Sequence, residues 1–114
     1  MLIFKIFTAD QWDALERDGF TAGAPVDLAD GYIHFSTAAQ LPVTAFKHFR
    51  GKENLVLAAV EAAAVDDALR WEPSRGGEAF PHLYRPLFAA DVLWSAPLPL
   101  GPDGVHLLPP EARA

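Results

Sequence analysis

The segment Leu55-Val56-Leu57-Ala58-Ala59-Val60 decides the fold, because it is a continuous apolar run between polar residues. Such a run is typical of a central strand that is buried on both faces. A helix predicted over 42–50 precedes it, and a strand predicted over Tyr32–Ser36 precedes that helix. The strand–helix–strand order predicts that the two strands lie in one mixed sheet, with the helix as the crossover between them.

The N-terminal part of the chain predicts a strand, a helix and a loop. Leu2–Phe7 is rich in β-branched and aromatic residues, which favours a short first strand. Thr8-Ala-Asp-Gln11 matches a capping box, so a helix is expected over 9–18, with Gly19 ending it. Thr21–Ala29 contains glycine and proline and is predicted to be an exposed loop.

The crossover helix also has a clear start and stop. Thr37-Ala-Ala-Gln40 is a second capping box, and Pro42 suits the first helical turn. Gly51 is expected to end the helix. The apolar spacing predicts that the inward side chains are Val43, Phe46 and Phe49.

The second half of the chain is richer in proline and predicts shorter elements. Pro81 and Pro86 confine their strand to an edge or irregular position, because proline cannot donate to a sheet ladder. The remaining prolines predict a loosely held segment over 97–114. The predicted elements are a short helix or irregular turn over Glu61–Ala68, and strands over Leu69–Glu72 (with Leu69 and Trp71 on one face), Phe80–Leu87 and Val92–Ala96. We expect one α+β domain over 1–114, with a mixed or split sheet of about five or six strands and two main helices.

Composition limits the function classes. The 114 residues carry a net charge of −6 and a sequence pI near 5.0, which disfavours general affinity for duplex nucleic acid. The absence of cysteine excludes disulfides and thiolate chemistry. The start has no pattern of a secretory signal, and the apolar run at 55–65 is shorter than the roughly 20 residues of a membrane span. We expect a soluble cytoplasmic protein that binds a small molecule; the sequence does not indicate an oligomeric state.

The segment Arg70-Trp-Glu-Pro-Ser-Arg-Gly-Gly-Glu-Ala-Phe-Pro-His-Leu-Tyr84 concentrates groups that bind ligands. Arg75 has the geometry to bind an anion with two hydrogen bonds, and Glu78 could act as an acid or base. The candidate ligand-binding residues of this segment are Trp71, Ser74, Arg75, Gly76, Gly77, His82 and Tyr84, with Glu78 as a catalytic candidate. The alternative is a turn that its aromatic residues anchor to the core, with Trp71 as a core anchor.

A second candidate group is His34 with Ser36 in Asp30-Gly-Tyr-Ile-His-Phe-Ser36. Alternation along a strand places Tyr32, His34 and Ser36 on one face, where His34 could exchange a proton with a ligand and Ser36 could bind one. The alternative is a histidine with a structural hydrogen bond. The four histidines have no spacing typical of a metal site, so no metal is expected.

These two motifs together resemble those of a small bacterial family catalogued as domain of unknown function 952. The resemblance covers nearly the whole chain, and the second motif is specific. It implies no established activity.

The order of segments is more distantly similar to the ADP-ribosyltransferase-like core of RNA 2′-phosphotransferases. Those enzymes show a strand, a helix ending near Gly, a strand reading His-Val-His-Leu-Ser, a helix with basic residues before Gly, and an apolar strand. The resemblance implies an ADP-ribosyltransferase-like split sheet, NAD or another nucleotide as ligand, and functional positions at His34, Ser36 and near Arg50. Where those enzymes carry His-Gly-Thr to hold NAD, this chain has Lys5-Ile6-Phe7.

The function expected from the sequence is binding of, or chemistry on, a nucleotide-like or phosphorylated small molecule, with ADP-ribosyl chemistry implied by the resemblance. The alternative is a non-catalytic interaction module that presents the Trp71–Tyr84 loop to a protein. A pocket with convergent polar groups favours the first, and a flat aromatic patch favours the second.

Overall fold

The computed structural model describes residues 1–114, except for the side chain of Arg75. Its helices and strands, in chain order, are β1 Leu2–Thr8, α1 Ala9–Asp18, β2 Phe20–Thr21, α2 Pro25–Asp30, β3 Ile33–His34, β4 Ser36–Thr37, α3 Leu41–Phe49, β5 Leu55–Glu61, β6 Leu69–Pro73, β7 Ala79–Leu83, β8 Leu87–Phe88 and β9 Val92–Leu98. Short 3₁₀ turns occupy Ala62–Ala68, Arg75–Gly77, Ala89–Asp91 and Pro110–Ala112. The α+β class is confirmed.

The central-strand prediction for Leu55–Val60 is confirmed. The strand β5 lies between β1 and β9 in a four-stranded sheet of order β4-β1-β5-β9. Its side chains from Leu57 to Val60 are fully buried. They contribute to two apolar clusters, one against α1 and the other against α3 and the C-terminal segment.

The predicted mixed sheet is wrong in its pairing. Every strand pair among the described residues is antiparallel, and β1 separates β4 from β5. The helix α3 does connect two strands of the same sheet, but they are not neighbours. The predicted strand Tyr32–Ser36 is divided: Ile33 and His34 pair with β7, whereas Ser36 and Thr37 pair with β1. This segment therefore joins the four-stranded sheet to a three-stranded sheet of order β3-β7-β6.

The start and end of α1 follow the sequence prediction. Thr8 and Gln11 form both hydrogen bonds of the capping box. Gly19 ends the helix in the left-handed conformation, with φ of 80°. Leu15 is fully buried and Trp12 packs against the same cluster. This local agreement is expected, since caps are decided by residues three or four positions apart.

The predicted exposed loop over Thr21–Ala29 is wrong. It contains Thr21 of β2, which pairs with β8, and most of α2. Pro25 begins the helix, and the Asp27 carboxylate accepts a hydrogen bond from the Ala24 amide at 2.8 Å. Asp27 is 1% exposed. The segment is therefore held by a buried carboxylate that a composition-based loop prediction does not detect.

The buried face of α3 differs from the predicted one. Leu41 and Ala45 are buried, whereas Val43 and Phe46 are 56% and 47% exposed. The buried row follows i, i+4 spacing and continues to the partly buried Phe49. The Phe46 ring is instead covered by the Arg50 guanidinium, 4.8 Å from its centroid.

Two predictions for the second half of the chain are also wrong. Trp71 is not a core anchor, since it is 43% exposed. Leu69 contacts the core, but two residues later β6 has already passed its boundary. Pro81 lies in β7, the central strand of its sheet, rather than at an edge. Its carbonyl accepts a hydrogen bond from the Phe35 amide, which lies at the break between β3 and β4. The nitrogen of Pro81 faces the same break, where no amide donor is needed for the ladder.

The proline-rich segment 97–114 includes well-packed residues. Leu100 and His106 form an isolated bridge, and the His106 Nε2 contacts the Lys52 carbonyl at 2.8 Å. Ala112 is fully buried. None of the helices among the described residues has the length and apolar character of a transmembrane span.

Candidate functional site

The structure contains a cavity of about 770 Å³ between α3 and the corner formed by β1, α2 and β3. Its polar lining residues include Lys5, Asp27, Asp30, Tyr32, His34, Ser36, Gln40, Thr44, Lys47, His48, Lys52, Ser74, Glu78 and His82. The volume lies within the range of small-molecule sites. A smaller pocket of about 410 Å³ has Glu53 as its one ionisable lining residue. The larger cavity is therefore the candidate site.

Asp27 is the buried centre of the corner. Its Oδ2 lies 2.9 Å from the Lys5 Nζ, and its Oδ1 lies 2.6 Å from the His34 Nδ1. The His34 amide donates to the same carboxylate at 3.1 Å. Lys5, which is also buried, donates to the His34 carbonyl at 3.3 Å. Asp27 on α2 and Lys5 on β1 therefore hold His34 in one orientation.

The ionisation of Asp27 follows from these contacts. Burial acts to raise the pKa of its carboxyl, but the hydrogen bond from His34 and the charge of Lys5 outweigh it and lower the pKa from 3.8 to about 2. Asp27 is therefore an ionised acceptor at neutral pH, and the Nδ1 of His34 must carry the proton in their hydrogen bond.

His34 lies between two carboxylates. Its Nε2 contacts the Asp30 Oδ2 at 3.0 Å, on the side of the ring opposite Asp27. The side chain is 33% exposed and lines the cavity. An imidazole that contacts a carboxylate at each nitrogen can donate both hydrogen bonds only when both nitrogens are protonated. Both ring nitrogens of His34 are therefore occupied by carboxylates, and a ligand can reach Nε2 only by taking the place of Asp30.

A second histidine lies on the other side of Tyr32. The Tyr32 ring stacks on His82 at 4.1 Å between centroids and contacts His34 at 4.7 Å. His82 is 3% exposed, and its Nδ1 lies 2.9 Å from the Glu72 Oε1. The Tyr84 hydroxyl donates to the same oxygen at 2.6 Å. The three rings and Glu72 thus form one connected group.

The pKa directions in this group agree with its hydrogen bonds. The bonds from Tyr84 and His82 lower the pKa of the Glu72 carboxyl. The hydrogen bond to Glu72 raises the pKa of the Tyr84 hydroxyl, because deprotonation of Tyr84 would remove the donor of this bond. Burial raises the pKa of Tyr32, and the nearby Asp30 adds to this effect. Glu72 is therefore an ionised acceptor, Tyr84 is its neutral donor, and Tyr32 is neutral.

The α3 side of the cavity is built differently. The Ser36 Oγ and Thr44 Oγ1 are 2.8 Å apart, which joins the start of β4 to the helix. Gln40 donates to the Glu78 Oε1 at 3.0 Å and to the Ala79 carbonyl at 2.8 Å. Further along the helix and just beyond it, the lining residues are basic: Lys47, His48 and Lys52. The cavity thus has a carboxylate-rich wall at α2 and β3 and a basic wall at α3.

The structure brings together some of the predicted site residues and not others. His34, Ser36, Ser74, Glu78 and His82 all line the cavity, although the two motifs lie some forty residues apart. The predicted residues that do not line it are Trp71, Gly76, Gly77 and Tyr84, of which Tyr84 is connected through Glu72. The side chain of Arg75 lies outside the described residues. The described part of the chain contains no group of three or more His, Asp or Glu placed to hold a metal ion.

Sequence reasoning missed Lys5, Asp27 and Asp30 as parts of the site. A lysine within the otherwise apolar strand Leu2–Phe7 is one signal for a buried ion pair, since buried lysines are almost always paired. Pro25 with Asp27 two residues later is a second signal, because it matches the first turn of a helix. Neither signal identifies the partner.

Comparison with known proteins agrees with the motifs. The family model described as "Protein of unknown function (DUF952)" matches residues 6–95, and the chain belongs to this family. No curated protein matches the chain.

Solved structures of protein CC0527 from Caulobacter crescentus are similar to this chain. The crystal structure shares 52% sequence identity over 95% of each chain, with a TM-score of 0.91. The solution NMR structure shares 53% identity over 91% of this chain and 90% of that chain, with a TM-score of 0.83. Both support the fold described above.

Proposed function

We propose that the cavity binds a phosphorylated, hydroxyl-bearing small molecule of nucleotide-like size. The observation that carries the proposal is the division of one cavity into a basic wall and a carboxylate–imidazole wall. Lys47 and Lys52 would contact the phosphate. Asp30 would contact the hydroxyls, since a carboxylate accepts hydroxyl hydrogen bonds, and His34 would contact the ligand through Nε2 when a ligand oxygen takes the place of Asp30 there.

His34 and Glu78 are the catalytic candidates of this site. His34 is oriented by Asp27, in the way that carboxylates orient histidines in acid–base catalysis. Glu78 lines the cavity and is held by Gln40. Both could move a proton to or from a ligand hydroxyl.

NAD and ADP-ribose are the first nucleotide ligands to test, because the order of segments resembles the RNA 2′-phosphotransferase core. The first strand argues for a different mode of holding NAD. Lys5 lies where those enzymes carry part of His-Gly-Thr, and it is buried and paired with Asp27. Any nucleotide would therefore be held by the polar walls and not by β1.

A thermal-shift screen tests the proposal, because a ligand that binds only the folded state raises the melting temperature. The compounds are inorganic phosphate, ribose 5-phosphate, ADP, ADP-ribose and NAD. We expect at least one to raise the Tm of the natural chain, and the shift to shrink in Lys47→Ala/Lys52→Ala. Arg17→Ala is the matched control, since Arg17 is exposed and pairs with its neighbour Asp18. A screen without any shift would reject the proposal.

The second candidate function is a protein-interaction module, and the exposure of Trp71 favours it. Trp71 projects from β6, which is an edge strand of the three-stranded sheet. Exposed aromatic residues and open sheet edges are both used in protein recognition. A binding partner captured by the natural chain and lost with Trp71→Ala, without any small-molecule binding, would favour this function.

A further inference from the structure

Glu72, His82 and Tyr84 form a second carboxylate–imidazole unit, and the proposed function above does not use it. His82 lines the same cavity as His34, and the two ring centroids are 5.4 Å apart. Tyr32 contacts both rings, so the histidines lie on either side of one aromatic side chain. Two oriented imidazoles thus lie at one cavity, and the hydrogen bonds of each ring decide whether its remaining nitrogen donates or accepts.

The hydrogen bonds of Glu72 decide the tautomer of His82. Its Oε1 accepts from the Tyr84 hydroxyl at 2.6 Å and contacts the His82 Nδ1 at 2.9 Å. An ionised carboxylate only accepts, so Nδ1 must be the protonated nitrogen. The depressed pKa of Glu72 keeps it in this acceptor state. In the neutral ring Nε2 then carries a lone pair, and it is the nitrogen left to meet a ligand.

The surroundings of His34 give the opposite polarity. Its two nitrogens contact Asp27 and Asp30, at 2.6 Å and 3.0 Å. Each contact is a hydrogen bond when the nitrogen donates. Different surroundings thus assign different roles to two chemically identical side chains, as in many acid–base pairs.

We propose that His82 is a ligand-contacting residue whose Nε2 accepts a hydrogen bond from a ligand hydroxyl, while a neighbouring ligand oxygen takes the place of Asp30 at the His34 Nε2 and accepts from it. This proposal rests on the proposed function and narrows its ligand class to a sugar phosphate with adjacent free hydroxyls. Such a ligand would place its phosphate at the α3 wall, and the donor–acceptor pair of imidazoles would contact neighbouring oxygen atoms. Glu72 and Tyr84 would be positioning residues, because they act through His82.

The ligand-free test is the tautomer of His82, measured by nitrogen-15 NMR of the imidazole in slightly alkaline solution. We expect the Nδ1–H form in the natural chain. Glu72→Gln should reduce its population, whereas Glu61→Gln should not, since Glu61 pairs with the N-terminal amine and does not line the cavity. A predominant Nε2–H form would overturn the proposal, whatever ligand the protein binds.

The ligand test compares ribose 5-phosphate with 2-deoxyribose 5-phosphate in the natural chain and in His82→Asn. The Asn amide can still donate to Glu72, but it removes Nε2. We expect the natural chain to bind the deoxy sugar about five- to tenfold more weakly, the value of one hydrogen bond. His82→Asn should bind both sugars about equally.

The two proposals fail in different ways. If both sugars bind the natural chain and His82→Asn equally well, the role of His82 is wrong and the phosphate-binding function stands. If neither sugar, nor any compound of the thermal-shift screen, binds the natural chain, the proposed function is wrong and the ligand role of His82 is wrong with it.

Discussion

The corner of β1, α2 and β3 and the loop around Gly76 both border the cavity, but they are built in opposite ways. In the corner, the buried Asp27 carboxylate of α2 contacts Lys5 of β1 and His34 of β3, so it connects three separate elements. In the loop, Ser74 and Glu78 line the cavity from a surface turn whose backbone is closed by its own hydrogen bonds. The corner therefore combines buried ion pairs with residues that line the cavity in one network, whereas the lining residues of the loop lie in an exposed turn.

The largest expected effect is the loss of Asp27. In Asp27→Ala, Lys5 stays buried without its partner, and breaking a buried ion pair typically costs about 3–5 kcal/mol. Urea unfolding followed by circular dichroism measures the change. The double variant Asp27→Ala/Lys5→Met, which removes the stranded charge, should recover part of the loss. A loss of stability below about 1 kcal/mol would mean that the Lys5–Asp27 ion pair does not hold the fold together.

Gly23→Ala should have the next largest effect. A Cβ at this position would lie 2.5 Å from the Asp27 Cβ and 2.7 Å from its Oδ2, at a φ of 115°. Strain in the backbone and crowding against a buried residue together predict a loss of about 2–4 kcal/mol. Gly31→Ala is the matched control, because it shares positive φ but has open space around it. If both variants unfold at the same denaturant concentration, crowding at Asp27 makes no contribution.

The comparison also shows which features a single sequence can predict. The cap at Thr8 and the buried strand β5 depend on neighbouring residues and on a continuous apolar run, so both could be read directly. The pairing of Lys5 with Asp27 depends on where two distant elements meet, and no spacing rule specifies it. The prediction that Trp71 is a core anchor was wrong for a related reason. Alternation places Trp71 on the same face as Leu69, but it does not show where the core ends along that face.

The pH dependence of stability should show the contribution of Asp27. Its pKa is lowered on folding, from 3.8 to about 2. A group with a depressed pKa contributes stability above its unfolded pKa, and this contribution is lost as the pH falls through its folded pKa. The free energy of unfolding of the natural chain should exceed that of Asp27→Asn by a margin that falls by about 2 kcal/mol between about pH 5 and pH 2. A margin that does not change with pH would contradict the charged network.

The smallest expected effect lies in the strand that enters the loop. Trp71 is 43% exposed, so Trp71→Ala should change the free energy of unfolding by about 1 kcal/mol or less, in spite of the size of the side chain. Leu83→Ala in the neighbouring strand β7 is the control, because Leu83 is fully buried and its truncation should cost about 2–5 kcal/mol. Both values come from the same urea titration. A loss with Trp71→Ala as large as that with Leu83→Ala would show that the indole contributes to the core. The loop would then resemble the corner in combining stability with its place beside the cavity.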